Sequence, residues 1–153
     1  MINIWVLYES RLGNTSRLAA AIAQSLARSE RVRLLSATQA GVPAGVQLIL
    51  IGVPSHRNSK PNCVFDWLRR LPNGSLKGIP FSVFDLRYTP QRWFEFSITW
   101  KIGRAIQRQG GRYAGSPETF FLSGHEGPVA DGEIHRACAW ANQILHNVVH
   151  STH

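Results

Sequence analysis

Short apolar runs alternate along this chain with longer segments whose apolar residues recur at helical spacing. The run over residues 2–8 is rich in strand formers, and residues 15–28 place Leu18, Ile22 and Leu26 on one face of a helix. Residues 47–53 are apolar on both faces, which is typical of a central parallel strand. The other predicted elements are strands over 32–35, 79–84 and 119–122 and helices over 62–71, 93–108 and 131–149.

The order of these elements, β-α-β-β-α-β-α-β-α, predicts an α/β fold in which an open parallel sheet carries helices on both faces. Ligands of such sheets bind beyond the carboxyl ends of the strands. Asp131 is the predicted N-cap of the last helix, with Glu133 in its first turn. With 153 residues, of which 44% are hydrophobic and 17% charged, the chain is expected to form one globular domain over residues 1–153.

The chain is strongly basic. It has 17 Lys and Arg residues against 9 acidic residues, which gives a net charge of +8 and excludes an acidic solvating protein. Fourteen of the 17 basic residues are Arg, a side chain that favours planar, bidentate contacts. This balance favours an anionic partner such as a phosphate-bearing cofactor, an acidic protein, nucleic acid or an anionic membrane surface.

Several features indicate a cytoplasmic protein. The two cysteines, Cys63 and Cys138, are too few for a disulfide framework and are expected to be buried free thiols in a reducing compartment. The opening residues lack the basic leader and cleavage site of a signal peptide. No apolar run approaches the roughly 20 residues that a membrane span needs, so we expect none.

The loop after the first strand has the composition of a phosphate-binding loop. It lies between a strand and a helix N-terminus, where backbone N–H groups and the helix dipole favour an anion. Ser10, Thr15 and Ser16 supply hydroxyl groups, Gly13 permits close approach of the backbone, and Asn14 suits a tight turn. Helix capping by the same Ser and Asn residues is the alternative interpretation. The loop lacks the glycine patterns of nucleoside-triphosphate and dinucleotide sites, so a mononucleotide with a terminal phosphate is favoured.

From these residues onward the chain resembles the flavodoxins. The stretch WVLYESRLGNTSRLAAAIAQSL is similar to the family's first strand, phosphate loop and first helix. The segments LILIGVPSHRNSKP and LKGIPFSVFDL are similar to its third and fourth strands with their flanking loops, and GHEGPVADGEIHRACAWANQIL to its closing loop and last helix. The resemblance covers essentially the whole chain and is nearest to the short-chain branch. It implies a doubly wound five-stranded parallel sheet in the order 2-1-3-4-5 and FMN as the cofactor.

The resemblance also implies which residues contact FMN. The phosphate loop comprises Ser10, Arg11, Leu12, Gly13, Asn14, Thr15 and Ser16. Leu12 stands where the family usually has Thr, and the charge of Arg11 is expected to compensate. The loop that covers one face of the flavin ring comprises Pro54, Ser55, His56, Arg57 and Asn58. The loop on the other face comprises Asp85, Leu86, Arg87 and Tyr88, with Tyr88 as the first stacking candidate and Trp93 as the second.

The implied function is electron transfer by an FMN protein, in which the cofactor supplies the chemistry. The alternatives are an NAD(P)H-dependent flavin or quinone reductase and a flavin-free binding module on the same fold. No catalytic residue and no metal site are predicted; His146 and His150 have the spacing of a two-His site but no third ligand.

The basic residues in or beside the predicted flavin loops are Arg11, Arg17, Arg57, Lys60, Arg87 and Arg92. Because flavodoxins are usually acidic, this rim predicts an acidic redox partner and a flavin whose reduced form is favoured by nearby positive charge. Nucleic acid is not the predicted partner, because no recognition helix or RNA-binding motif is present.

Overall fold

The computed structural model describes residues 1–9, 13–54, 62–88, 98–124 and 127–151. Its strands, in chain order, are β1 (Asn3–Tyr8), β2 (Arg31–Ser36), β3 (Leu48–Pro54), β4 (Pro80–Arg87), β5 (Arg112–Tyr113) and β6 (Glu118–Phe121). Its helices are α1 (Asn14–Leu26), α2 (Asn62–Arg70), α3 (Ile98–Arg108) and α4 (Glu133–His150). The predicted site residues outside the described ranges are Ser10, Arg11, Leu12, Ser55, His56, Arg57, Asn58 and Trp93.

The strands form one parallel sheet in the order β2-β1-β3-β4, and the fifth position is shared by β5 and β6. β5 pairs with the start of β4, where Pro80 lies opposite Arg112. β6 pairs with the end of β4, where Phe84 lies opposite Glu118. The predicted fold class and strand order are therefore confirmed, but the fifth strand is two short pieces rather than one.

A strand break over residues 114–117 separates β5 from β6. Three consecutive carbonyl oxygens in it, at 114–116, accept hydrogen bonds from side chains: Asn147 Nδ2 at 3.2 Å, Ser82 Oγ at 3.1 Å and Trp140 Nε1 at 3.1 Å. These donors replace part of the hydrogen bonding that a continuous strand would provide. The chain can therefore leave the sheet here without burying unpaired carbonyl groups.

Each face of the sheet has its own core because successive strand residues point to opposite faces. Ile4 and Val6 pack in the core under α1 and α4, whereas Trp5 and Leu7 pack in the core under α2 and α3. β3 is buried along both faces, with only its last residue, Pro54, half-buried. The central apolar run predicted from the sequence is therefore the central strand of the sheet.

Two predicted boundaries are wrong. β4 does not end at Phe84: Asp85 continues the strand, opposite Val53 of β3 and Thr119 of β6, and the strand ends at Arg87. Asp131 is not the N-cap of the last helix, because that position is Gly132, whose φ of 82° suits glycine.

Glu133 joins the start of α4 to the end of β6. Its carboxylate accepts a hydrogen bond from the backbone N–H of Phe121 at 2.9 Å and bonds at 2.7 and 2.8 Å from Arg136. The guanidinium of Arg136 holds the pKa of Glu133 below its usual value, although partial burial of the carboxyl acts in the opposite direction. The pair thereby fixes the last helix against the strand that ends at the carboxyl edge of the sheet.

Glu133→Gln should lower the free energy of unfolding by up to about 1 kcal/mol near neutral pH. A carboxyl whose pKa is lower in the folded state contributes stability above its unfolded pKa of about 4.3, and this is lost as pH falls through the folded pKa. Urea unfolding at neutral and acidic pH should show the difference between wild type and variant shrinking in acid. Glu118→Gln is the control, because Glu118 lies 3.5 Å from Arg136 and its side chain is 40% exposed. A difference that does not change with pH would contradict the charge-based explanation.

Candidate functional site

The candidate site lies at the carboxyl edge of the sheet, where parallel strands end together. Tyr8 at the end of β1 is opposite Gly52, and Pro54 at the end of β3 is opposite Leu86. The N-terminus of α1 begins at the same edge, directly after β1. The structure thus brings the described part of the predicted phosphate loop to the edge where Pro54 and the end of β4 lie.

α1 begins at a glycine whose conformation other residues rarely adopt. Gly13 has φ 135° and ψ −140°, and its carbonyl accepts the first helical hydrogen bond from the N–H of Arg17 at 3.1 Å. The N–H groups of residues 14–16 precede that bond and therefore point out of the helix end. The first turn contains no acidic residue, and Arg17 in it is exposed. This helix end therefore suits an anion.

Ser16 is committed to the helix end itself. Its hydroxyl donates to the Gly13 carbonyl at 2.8 Å and accepts a long bond, 3.4 Å, from the Gly13 N–H. Ser16 therefore caps the helix, which is the alternative interpretation that the sequence left open for it. Thr15, by contrast, is buried with 6% of its surface exposed at the same helix end.

The loop before α4 packs directly on Asn14. Gly127, in the cis Gly127–Pro128 peptide, has φ 94°. A Cβ atom at this position would lie 2.6 Å from Oδ1 and 2.8 Å from Cγ of Asn14. Real Cβ contacts are essentially never that close, so the two loops touch only because residue 127 is glycine.

Glu9 has a structural role beside the candidate site that the sequence did not predict. It is 3% exposed, and its carboxylate accepts the backbone N–H of Cys63 at 2.9 Å and of Val64 at 3.3 Å. A carboxylate at this place caps α2 and interacts favourably with its dipole. Glu9 thereby ties the end of β1 to the start of α2. The available signal was an acid placed directly after a buried strand, at the start of an otherwise basic loop.

Asp85 and Arg87 form a buried ion pair rather than part of an exposed rim. Asp85 is fully buried; its Oδ2 accepts from Arg87 Nε at 2.9 Å and its Oδ1 from Thr119 Oγ1 at 2.6 Å. The Arg87 side chain is 12% exposed. Its positive charge is therefore balanced by Asp85, and the expectation that Arg87 adds net positive charge beside a flavin is corrected.

The other described residues predicted for the ring loops differ in exposure. Leu86 is 2% exposed and packs in the core under α1 and α4, so its side chain belongs to the fold. Tyr88, just beyond the end of β4, is 42% exposed. Of these two, Tyr88 is the side chain that can present a ring at the carboxyl edge.

The histidine pair lies elsewhere. His146 and His150, on the last turns of α4, have ring centroids 4.1 Å apart. Across the described ranges, no three His, Cys, Asp or Glu side chains are grouped so that they could hold a metal ion. In the part of the chain that the structure describes, no helix combines the length and hydropathy needed to cross a membrane.

No protein-family model matches the chain, and no curated protein matches its sequence. Its structure, however, is similar to solved structures over nearly its whole length. A short-chain flavodoxin associated with a bacterial microcompartment superposes with a TM-score of 0.77 at 16% identity, covering 97% of this chain and 99% of that one. The fold is that of a flavodoxin.

Two further flavodoxins, solved in different redox states, also have folds similar to that of this chain. Oxidised flavodoxin 2 of Bacillus cereus has a TM-score of 0.73 at 20% identity and covers 94% of this chain and 98% of its own. The two-electron reduced flavodoxin of Megasphaera elsdenii has a TM-score of 0.67 at 19% identity, covering 92% and 98%. In doubly wound parallel sheets, ligands bind in the crevice beyond the carboxyl ends of the strands, which is the edge described above.

Proposed function

We propose that this chain binds FMN at the carboxyl edge of its sheet and carries electrons between redox partners. The observation that carries the proposal is the start of α1. A glycine-initiated helix N-terminus without acidic residues lies at that edge in a flavodoxin fold. Backbone N–H groups and a helix dipole aimed at one point favour a phosphate group there.

The residues present fit the phosphate end of FMN. The N–H groups of 14–16 and the Thr15 hydroxyl lie at the helix end, and exposed Arg17 adds a positive charge in the same turn. The carboxylate of Glu9, the acidic residue nearest in sequence, is engaged by backbone N–H groups at the start of α2. A phosphate bound at this point therefore meets donors and positive charge.

For the flavin ring, Tyr88 is the described side chain that fits best. A flat ring gains about 0.5–1.5 kcal/mol from stacking on an aromatic side chain, in addition to the area that it buries. Tyr88 follows β4 directly, at the carboxyl edge where the ring is proposed to bind, and this supports its role as the stacking residue. The residues Ser55, His56, Arg57, Asn58 and Trp93, which lie outside the described ranges, remain predictions for the ring site.

The fold and the proposed cofactor support electron transfer as the function. Structural neighbours of this chain have been solved in oxidised and in two-electron reduced states. When bound, FMN would supply the redox chemistry, and the protein would supply phosphate anchoring, stacking and electrostatics. The net charge of +8 favours an acidic redox partner, in contrast to the basic partners of acidic flavodoxins.

Titration of the purified protein with FMN and with riboflavin tests the phosphate site. FMN should bind much more tightly, because riboflavin lacks the phosphate that α1 would hold. Quenching of flavin fluorescence gives both affinities. Equal affinities would show that the start of α1 is not a phosphate site, and failure of both flavins to bind would overturn the proposed function.

Thr15→Ala should weaken FMN binding about tenfold or more, because it removes one hydroxyl hydrogen bond to a charged group, worth about 1.5–3 kcal/mol. Riboflavin binding should change little. Ser29→Ala is the matched control, since it deletes an exposed hydroxyl just after the opposite end of α1. An equal loss of affinity for FMN and riboflavin would indicate that Thr15 supports the fold rather than the phosphate.

A further inference from the structure

The outer face of α3 carries positive charge and an exposed indole. The exposed side chains of this helix are Trp100, Lys101, Arg104, Gln107 and Arg108, and none is acidic. Its opposite face, which includes Ile102 and Ile106, is buried in the core. α3 therefore presents three positive charges to solvent from a helix that is fixed to the sheet.

Trp100 and Arg104 form the centre of this face. Trp100 is 47% exposed, and the Cζ atom of Arg104 lies 5.0 Å from the centroid of its ring. Trp and Arg are the side chains most often found to dominate binding energy at protein interfaces. Stacking of the guanidinium on the indole also restricts both side chains before any partner arrives, which lowers the entropic cost of binding.

The basic face continues across a shallow groove onto α2. Phe65, Leu68 and Ala105 contribute apolar lining to this groove, and Arg69 and Arg108 line it from opposite sides. Arg69 is paired with Asp66 at 2.6 Å, and both side chains are exposed. Asp66 therefore balances the charge of Arg69, and we call the set Trp100, Lys101, Arg104 and Arg108 the α3 surface.

The α3 surface reaches the candidate cofactor edge. The C-terminal end of α3 lies at the amino edge of the sheet, because the N–H of Gly78 donates to the carbonyl of Gly110 at 2.9 Å just before β4 begins. The helix must therefore start at the opposite, carboxyl edge, as in any right-handed crossover. Trp100, in its first turn, is the member of the surface nearest to the proposed FMN site.

The helix that carries this surface is rigidly seated. A Cβ atom on Gly103 would lie 2.5 Å from Cζ of Tyr113, so α3 packs against β5 as closely as a glycine allows. Burial of Tyr113 in this contact raises the pKa of its phenol. The helix backbone that carries these exposed side chains is therefore fixed to the sheet.

We propose that the α3 surface docks the acidic face of a redox partner protein, with Trp100 and Arg104 as its anchors. That the partner is a redox protein rests on the proposed function, but the binding of an acidic protein to this surface does not. A protein partner is favoured over nucleic acid. Single-stranded nucleic acids stack their bases on several aromatic side chains in a row. Among the exposed side chains of α3, Trp100 is the one aromatic, and Arg104 already stacks on it.

The probe is a fluorescently labelled, Glu-rich helical peptide with one apolar stripe. Its binding to the full chain is measured at low salt, with and without FMN. Arg104→Glu/Arg108→Glu should weaken binding at least about tenfold. Trp100→Ala should weaken it as well. The matched control is Arg28→Glu/Arg31→Glu, which changes net charge equally at exposed positions near the amino edge and should change affinity less than about twofold.

Each outcome decides the proposal. Equal weakening by both double variants would mean attraction to net charge alone and would overturn it. A thymidine oligonucleotide with the same charge as the peptide serves as the comparison. If it binds more tightly than the peptide and its binding depends on Trp100, the surface belongs to nucleic acid and the proposal is overturned. FMN affinity should be the same in wild type and Arg104→Glu/Arg108→Glu. Failure of the proposed function would therefore appear as absent flavin binding, while failure of the docking surface would appear in peptide binding.

Discussion

Replacement of Arg87 by Met should lower the free energy of unfolding by about 3–5 kcal/mol at neutral pH. Asp85 is fully buried, and its Oδ2 atom is held by Arg87 Nε at 2.9 Å. Without the guanidinium, the carboxylate would keep, among the described residues, only the hydrogen bond from Thr119 Oγ1. A buried charge that loses its partner is far more costly than a surface pair that is broken, because little solvent can replace the lost interaction. Urea unfolding followed by circular dichroism measures the difference.

The chain offers a matched control for this prediction. Arg69→Met makes the same change in the Arg69–Asp66 pair, whose side chains are 72% and 54% exposed, and should cost less than about 1 kcal/mol. The double variant Asp85→Asn/Arg87→Met should recover part of the stability lost in Arg87→Met, because the unpaired charge is gone. A small effect at Arg87, similar to that at Arg69, would show that Asp85 does not depend on this partner.

The buried pair changes how the charge of this protein should be tested. A charge reversal at Arg87 would place two carboxylates together in the sheet, so an altered flavin potential would be confounded with unfolding. The basic positions Arg11, Arg57, Lys60 and Arg92 lie outside the described residues and remain predictions for the rim. Arg17 is the described basic residue in the first turn of α1 whose side chain is exposed.

Gly127→Ala should destabilise the fold by about 2–4 kcal/mol and weaken FMN binding about tenfold or more. The substitution forces a residue with a side chain to keep φ 94°, and it drives a methyl group to 2.6 Å from Asn14 Oδ1. Relief of that overlap displaces the side chain of Asn14, the first residue of α1, beside the helix end proposed to hold the phosphate. Urea unfolding and FMN titration measure the two effects.

Gly132→Ala is the control that separates the cost of backbone strain from the cost of the steric overlap with Asn14. Gly132 has φ 82°, but a Cβ atom there would meet nothing within 4 Å. This control should lose only the strain energy, about 1–2 kcal/mol, and should bind FMN as the wild type does. Equal loss of FMN affinity in both variants would contradict a specific role for the contact between Gly127 and Asn14.

Sequence reasoning succeeded where structure depends on local pattern. The alternation of strands and helices and the central position of β3 could be predicted, because the apolar runs are short, regularly separated by amphipathic helices, and buried on both faces in β3. The strand order itself came from the resemblance to the flavodoxins. Sequence reasoning failed for Asp85 because a charged residue after an apolar run normally ends a strand. The partners that allow Asp85 inside are Thr119, which is distant in sequence, and Arg87, two residues on and therefore on the same face of β4.

The site was predictable to a similar degree. The position of Gly13, Asn14 and Thr15 at the carboxyl edge follows from the order of β1 and α1. The role of Glu9 did not follow, because its hydrogen bonds go to Cys63 and Val64, more than fifty residues away. The contact between Gly127 and Asn14 was equally hidden, since it depends on where the loop before α4 crosses the start of α1.

The strand break over residues 114–117 has a consequence for local opening. Its carbonyl groups are held by Ser82, Trp140 and Asn147, so neither β5 nor β6 needs the other to complete its hydrogen bonds there. β5 is held at the amino edge by its pairing with β4 and by the close contact of Tyr113 with α3, whereas β6 is held by β4 and by Glu133 of α4. Opening of β5 would therefore have to break contacts with α3, and opening of β6 would have to break contacts with α4 at the end where a cofactor would be held.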